Sequence, residues 1–317
     1  MCHIFKYIYN TIRFDIRYMT TLSNKKYLTI NPNDHKWGLA INSVGYQSIS
    51  KNEVYPPQIH PTRYLFNTDT GRILNEYQLL YITKGEGTFT SKTTGTLELK
   101  EGYMFLLFPG EWHTYRPSSQ TGWNEYWIGF DGKIMEQWVA EGFFTKENPV
   151  FNIGLNEDIV SLYKRATFIA ESQEANYQQA LSGIACNLIS MALYLSRNRD
   201  FNKSNIATKI NQAKISVNEN ISTITPEGLA ELTCMSYSKF RKIFKEYTGF
   251  APSQYIQEVR ITMAKELLTN TSKSIKEIAF ELGYDNKDYF FTVFKKVTGS
   301  TPVHYRQYTQ GTTINNK

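Results

Sequence analysis

Phe240-Arg-Lys-Ile-Phe244-Lys-Glu-Tyr-Thr248-Gly249-Phe-Ala-Pro252-Ser-Gln-Tyr255 and Phe290-Phe-Thr-Val-Phe294-Lys-Lys-Val-Thr298-Gly299-Ser-Thr-Pro302-Val-His-Tyr305 share Phe, Phe, Lys, Thr, Gly, Pro and Tyr at an offset of 50 residues. Upstream, Leu229-Ala230 matches Ile278-Ala279 at an offset of 49, so one turn carries one residue more than the other. A repeat of this length marks two copies of one supersecondary unit. In each copy an Ala-containing helix (226–233 and 275–282) leads through a short turn into a second helix, with Ser236 or Asp285 as its cap. Gly249 and Gly299 supply the left-handed residue that ends the second helix, and Pro252 and Pro302 bar its continuation. That order is helix-turn-helix.

On the second helix, Phe240, Ile243, Phe244 and Tyr247 fall on one face, while Tyr237, Ser238, Arg241, Lys242 and Lys245 point elsewhere. The helix between the copies, Ser253 to about Leu268, is expected to place Ile256, Val259, Met263 and Leu267 on one side and so fix the spacing of the two units. Two such helices entering the major groove from one face of DNA would read sites ~10 base pairs apart.

The chain of 317 residues has room for about two domains. Its 35 basic and 29 acidic side chains give +6. Residues 205–310 hold 14 Lys and Arg against 10 Asp and Glu, so most of the excess lies beside the repeat. With 41% hydrophobic and 20% charged residues the chain reads as globular, which excludes a disordered chain. Cys2, Cys186 and Cys234 are too few for a disulfide framework and too dispersed for a zinc site, which points to a reducing cytosol. The best apolar run, Leu188 to Leu195, is far short of the ~18 residues that span a bilayer, so no membrane partner is expected. The segment before Tyr18 lacks a continuous apolar region and a cleavage site, so it does not read as a signal peptide; Met19 leaves an alternative start open.

Between Tyr27 and Val150 short alternating runs are separated by turn residues: 78–83, 88–90, 96–99, 104–108 and 125–130, with Gly85-Glu86-Gly87 read as a hairpin turn. This implies a small β-barrel or sandwich. After Asn156 the period becomes helical, through Ile159, Leu162, Tyr163, Ala166 and Ile169, then Tyr177, Leu181, Ile184, Leu188 and Leu195. These two helices cover the barrel, form a dimer seam, or do both. The polar stretch 197–204 reads as a linker. The expected architecture is two-domain α+β, with a β-barrel and helical dimerisation segment followed by an all-α double helix-turn-helix domain. Its parts are an arm (1–26), the barrel (27–150), the helical segment (151–204), the DNA-binding domain (205–310) and a tail (311–317).

The C-terminal pattern resembles the DNA-binding domain of the AraC/XylS family of bacterial transcription regulators. The matching residues are Leu229-Ala230, Ser236, Phe240, Phe244-Lys245, Gly249, Pro252, Tyr255, Ile278-Ala279, Gly283-Tyr284, Phe290, Phe294-Lys295, Gly299, Thr301-Pro302 and Tyr305-Arg306. The resemblance implies contacts to double-stranded DNA from Ser236, Tyr237, Ser238, Arg241, Lys242 and Lys245 in the first unit, and from Asn286, Lys287, Tyr289, Thr292, Lys295 and Lys296 in the second. Arg241 suits base readout, because its fork can meet guanine in two bonds. Lys245, Lys295 and Lys296 suit phosphate or a solvated face; Tyr237 and Tyr289 suit packing, phosphate or base equally. Thr292 stands where the family usually has Arg, so the second unit should grip DNA less strongly.

The N-terminal part resembles the family's cupin-type sensor through 81–87, 102–115 and 123–130. Carried over from the arabinose-sensing subset, the ligand residues are Gln47, Lys84, His113, Tyr115, Glu125 and Trp127. Trp127 would stack on a sugar, and Gln47, Lys84 and Glu125 would bond its hydroxyls. Lys84 and Glu125 replace the Arg and His of that subset, which argues against arabinose. The stretch 76–90 lacks the histidines a metal-dependent cupin enzyme needs, and no nucleophile, phosphate-loop or dinucleotide motif occurs. No catalytic residue, metal or cofactor is therefore expected. Residues 55–63 could form a loop over the barrel mouth. The expectation is a cytoplasmic, homodimeric activator that binds a carbohydrate effector and recruits RNA polymerase. The rivals are a regulator without a ligand, a cupin enzyme with a DNA-binding tail, and a DNA-repair methyl acceptor, for which the cysteines do not suffice.

Overall fold

The computed structural model describes residues 23–56, 67–203 and 205–311. It divides into two units, Met1–Arg199 and Asp200–Lys317.

Among the described residues the first unit is built on nine strands, β1 (Ser23–Tyr27), β2 (Ala40–Ile49), β3 (Arg72–Ile73), β4 (Tyr77–Ser91), β5 (Gly95–Lys100), β6 (Tyr103–Leu107), β7 (Trp112–Pro117), β8 (Trp123–Asp131) and β9 (Val150–Asn152). With them go the helices α1 (Pro32–Lys36), α2 (Lys133–Ala140), α3 (Glu157–Ser172) and α4 (Tyr177–Lys203). The order is β1-β2-β8-β4-β6-β9, with β5 and β7 on the far half of β4 and β3 on β7. The sheet therefore folds over on itself along β4 and does not close into a full barrel. The expected hairpin at Gly85-Glu86-Gly87 is absent, because β4 continues unbroken through it. The glycines serve close approach instead: a Cβ at Gly85 would lie 2.1 Å from the Gly122 carbonyl oxygen, and one at Gly87 would lie 2.2 Å from that of Arg116. Gly85 also has φ +82°, which glycine adopts without strain.

Alternation along β4 sends Leu79 and Tyr81 to one face and Leu80 and Ile82 to the other. The first face packs under α3 and α4 through Ile159, Tyr163, Ala166, Leu181, Ala185 and Leu188. Tyr163 donates its hydroxyl proton to the Leu79 carbonyl (3.1 Å), and the buried Gln178 amide both accepts from the Ile41 N–H and donates to its carbonyl. The two helices thus cover the sheet.

Two expectations about α4 are corrected. The segment Tyr177–Arg199 is long and apolar enough to cross a bilayer by length and composition, but its apolar face is docked on the sheet core. The stretch 197–203 is helix and not linker; it contains neither Gly nor Pro, so nothing interrupts the backbone hydrogen bonding.

The second unit contains α5 (Ile206–Glu219), α6 (Pro226–Leu232), α7 (Tyr237–Thr248), α8 (Pro252–Asn270), α9 (Ile275–Glu281), α10 (Lys287–Thr298) and α11 (Pro302–Thr309). It has two cores. One joins Ile210, Val217, Leu229, Ala230, Phe240, Phe244 and Ile256; the other joins Ile261, Ala264, Leu268, Ile278, Ala279, Phe290 and Phe294. Truncating any of the four phenylalanines to Ala should cost ~3–5 kcal/mol. The single stripe expected on α8 is instead two faces, because this helix packs against a core at each end: Ile256 and Val259 serve the first, Ile261, Met263, Ala264, Leu267 and Leu268 the second.

Candidate effector cavity and nucleic-acid interface

Within the folded sheet lies a cavity of about 380 Å³, including space continuous with solvent, lined by Tyr27, Gln47, Tyr55, Pro56, Arg72, Gln78, Leu80, Tyr115, Glu125 and Trp127. Gln47 on β2 pairs with Glu125 on β8, and Gly45 pairs with Trp127, so register alone brings three expected residues together. Gly45 makes room for the indole, since a Cβ there would lie 2.4 Å from Trp127 Cζ2. The Gln47 amide donates to Glu125 Oε1, and the Tyr55 hydroxyl donates to the same oxygen at 3.3 Å. Glu125 Oε2 is buried and has no hydrogen-bond partner among the described residues. Burial raises the Glu125 carboxyl to about 7 against the pull of Gln47, Tyr55, Lys25 and Arg72.

Arg72, which no sequence motif marks, joins the cavity wall. It stands on the two-residue strand β3, paired with His113 on β7, too short a strand to show any period. Its guanidinium donates to the Tyr115 hydroxyl (3.0 Å) and, through Nε, to His113 Nε2 (3.4 Å). Burial, then Arg72, lowers the His113 pKa to about 4, so the ring is neutral near pH 7. Because arginine only donates, Nε2 accepts and Nδ1–H donates to the Glu111 carbonyl (3.0 Å). Burial pushes the Tyr115 hydroxyl up to about 12, which keeps it protonated.

Four of the six expected ligand residues, Gln47, Tyr115, Glu125 and Trp127, line this cavity. Two are corrected. His113 is buried behind Arg72, whose side chain occupies the wall that His113 was expected to form. Lys84 is exposed and outside the cavity, because a register irregularity between Ile82 and Lys84 accompanies the bend of β4. Tyr55 and Pro56 do line the cavity, whereas 57–63 lie outside the described residues. Among the described residues no three His, Cys, Asp or Glu side chains gather as an ion site. The arm is described only from residue 23, where β1 pairs with β2.

The two helix-turn-helix copies agree down to single hydrogen bonds. The Gly249 N–H donates to the Lys245 carbonyl and the Gly299 N–H to that of Lys295, both at 2.8 Å. The Thr248 and Thr298 hydroxyls donate to the Phe244 and Phe294 carbonyls at 2.7 and 2.8 Å. Tyr255 meets Phe244 edge-on at 5.3 Å, and Tyr305 meets Phe294 so at 5.5 Å. Arg306 serves structure, donating to the carbonyls of Leu268 and Lys273 near the end of α8.

With α7 and α10 held by their phenylalanine faces, all twelve expected DNA-contact residues are exposed. The caps differ from expectation. Ser236 precedes α7 without a side-chain cap bond, which leaves its hydroxyl uncommitted. Asn286 and not Asp285 caps α10, accepting from the Asp288 N–H at 2.7 Å, because the second turn is one residue longer. Thr292 donates to the Asp288 carbonyl (3.0 Å), and Lys287 lies over the Phe291 ring at 5.3 Å. Arg241, Lys242, Lys245, Lys295 and Lys296 form no ion pair among the described residues, so their charge faces solvent. Exposed Lys239, one turn before Lys242 on the same cationic side, belongs with them although the sequence reading omitted it.

Two family profiles match the chain, an AraC-like ligand binding domain over residues 51–185 and a helix-turn-helix domain over 229–308. The raffinose operon transcriptional regulatory protein of Pediococcus pentosaceus is 27% identical over 74% of this chain and 86% of its own length. The lactose operon transcription activator of Staphylococcus xylosus is 28% identical over 74% of this chain and 84% of its own. A solved transcriptional regulator with an AraC-type DNA-binding domain, from Chromobacterium violaceum, is 28% identical over 34% of this chain and 97% of that one, with a TM-score of 0.31.

Proposed function

Because this chain belongs to the AraC/XylS family of DNA-binding transcription regulators, and is a regulator and not an enzyme, we propose that it switches a promoter in response to a carbohydrate held in the cavity of its first unit. The observation that carries this reading is the lining itself. Trp127 and Tyr115 offer rings for sugar C–H faces, while Gln47, Gln78, Arg72 and Glu125 offer fixed donors and acceptors for hydroxyls. Two relatives named for raffinose and lactose operons support an oligosaccharide.

In the second unit, Arg241 reads a base edge while Ser236, Tyr237, Ser238 and Lys242 support it from the first recognition helix. Asn286, Lys287, Tyr289, Thr292, Lys295 and Lys296 engage the next groove more weakly, Lys295 and Lys296 through phosphate. The protein acts in the cytosol as an activator that recruits RNA polymerase. Its homodimer forms through the outer face of α4, where Ala180, Gly183, Asn187, Ser190 and Tyr194 follow one another at helical spacing, all exposed.

Thermal shift of the full chain against mono- and oligosaccharides tests the effector class. At 100 times its dissociation constant a ligand adds about 2.7 kcal/mol of stability. A folded protein indifferent to every sugar would replace this reading with a ligand-free regulator.

A further inference from the structure

The cavity's acid–base chemistry narrows the effector further, on the premise of the carbohydrate reading above. Glu125 interacts with Lys25 from β1, Gln47 from β2, Tyr55 from the loop after β2, Arg72 from β3 and Tyr115 from β7; β4, paired with it through Ile82, adds no titratable group to this set. Gln47 and Tyr55 both donate to Oε1. Glu125 lines the cavity, and its Oε2 is buried without a partner among the described residues. A buried acceptor without a donor is costly, so this atom gains most from a ligand that brings one.

We propose that Glu125 Oε2 determines specificity by accepting a hydroxyl proton from a neutral sugar lying against Trp127, and that seating this sugar expels the carboxyl proton to solvent. An acidic sugar would set its carboxylate against that of Glu125 and is refused. A cationic one would meet Arg72 and Lys25 and is disfavoured. Burial holds the carboxyl near half-ionised at neutral pH. A donor to Oε2 favours the carboxylate, so binding and ionisation are linked.

Isothermal titration of the full chain, with raffinose and lactose as neutral probes and galacturonic acid as the acidic one, tests this at pH 6 and 8. At pH 7, paired buffers of different ionisation enthalpy report the proton. A neutral probe is expected to bind about tenfold more weakly at pH 6 than at pH 8, releasing about half a proton at pH 7. Galacturonic acid should not bind at pH 8, where Glu125 is a carboxylate. Glu125→Gln should bind the neutral probe more weakly than the native protein does at pH 8, and with no pH dependence, because its amide nitrogen replaces the acceptor Oε2. Affinity that is flat with pH in the native protein, an equal slope in Glu125→Gln, or equal binding of the acid at pH 8 overturns the proposal while leaving the carbohydrate reading in place. If no neutral sugar binds at either pH, the carbohydrate reading falls and takes this proposal with it.

Discussion

Gly45 and Trp127 are register partners across β2 and β8, and the glycine's missing side chain is the space the indole fills. A methyl group at 45 would lie 2.4 Å from Trp127 Cζ2 and 2.7 Å from the Asn24 carbonyl oxygen. Gly45→Ala should therefore push the ring out of the cavity wall. We expect a loss of ~1–3 kcal/mol in stability and an effector affinity at least an order of magnitude lower, read by calorimetry and tryptophan fluorescence. Native affinity with an unmoved fluorescence spectrum would show that Trp127 is not held there.

Glu125 makes stability depend on pH in the direction opposite to a salt-bridged acid. Its folded pKa is raised from 4.5 to about 7, so its contribution is full below 4.5 and is lost as pH rises through 7. The loss should approach roughly 3 kcal/mol. Denaturant titrations of the unliganded protein at pH 5 and 8 should show it, and Glu125→Gln should flatten it. An unchanged profile in that variant would place the titration elsewhere.

Cys234 holds φ +53° in the first helix-turn-helix, at the position where the second has Gly283 with φ +77°. Both turns make the same backbone bond, from the Cys234 N–H to the Glu231 carbonyl (2.9 Å) and from the Gly283 N–H to that of Phe280 (3.0 Å). Cys234→Gly should relieve the left-handed strain and stabilise by up to about 1 kcal/mol. Gly283→Ala should destabilise by more, since its Cβ would fall 2.3 Å from the Ser222 carbonyl oxygen. Melting temperatures moving the other way would refute the equivalence of the two turns.

Arg241 and Lys295 are both exposed on recognition helices, but their chemistry predicts different losses. Arg241→Ala should weaken specific DNA by ~1–3 kcal/mol and relax one base position. Lys295→Ala should weaken all sequences evenly and reduce the salt slope by about 1. Anisotropy titrations at several salt concentrations on two unrelated duplexes separate these outcomes.

The double helix-turn-helix was legible because each unit folds locally: the phenylalanine faces, glycine caps and prolines lie within twenty residues of one another. The asymmetry of the caps was not, since one inserted residue in the second turn moves the cap from Asp285 to Asn286. In the sheet, Gln47, Glu125 and Trp127 could be found from their motifs, whereas Arg72 reaches them only through a two-residue strand whose pairing is set far away in sequence. Lys84 was misplaced for the same kind of reason. Its direction depends on a bend of β4 that Gly85 and Gly87 make possible, and those glycines look in sequence like a hairpin. The helix α4 likewise hides its role, because a long apolar segment reads alike whether it covers a sheet or crosses a bilayer.

Two unequal recognition helices in one chain are expected to read successive major grooves. Selection of bound duplexes from random DNA by the full chain, with raffinose or lactose present and absent, tests it most directly. The enriched motif should hold two boxes ~10 base pairs apart, the stronger of them degraded in Arg241→Ala. A single box, or an enriched motif unchanged by that substitution, would contradict it.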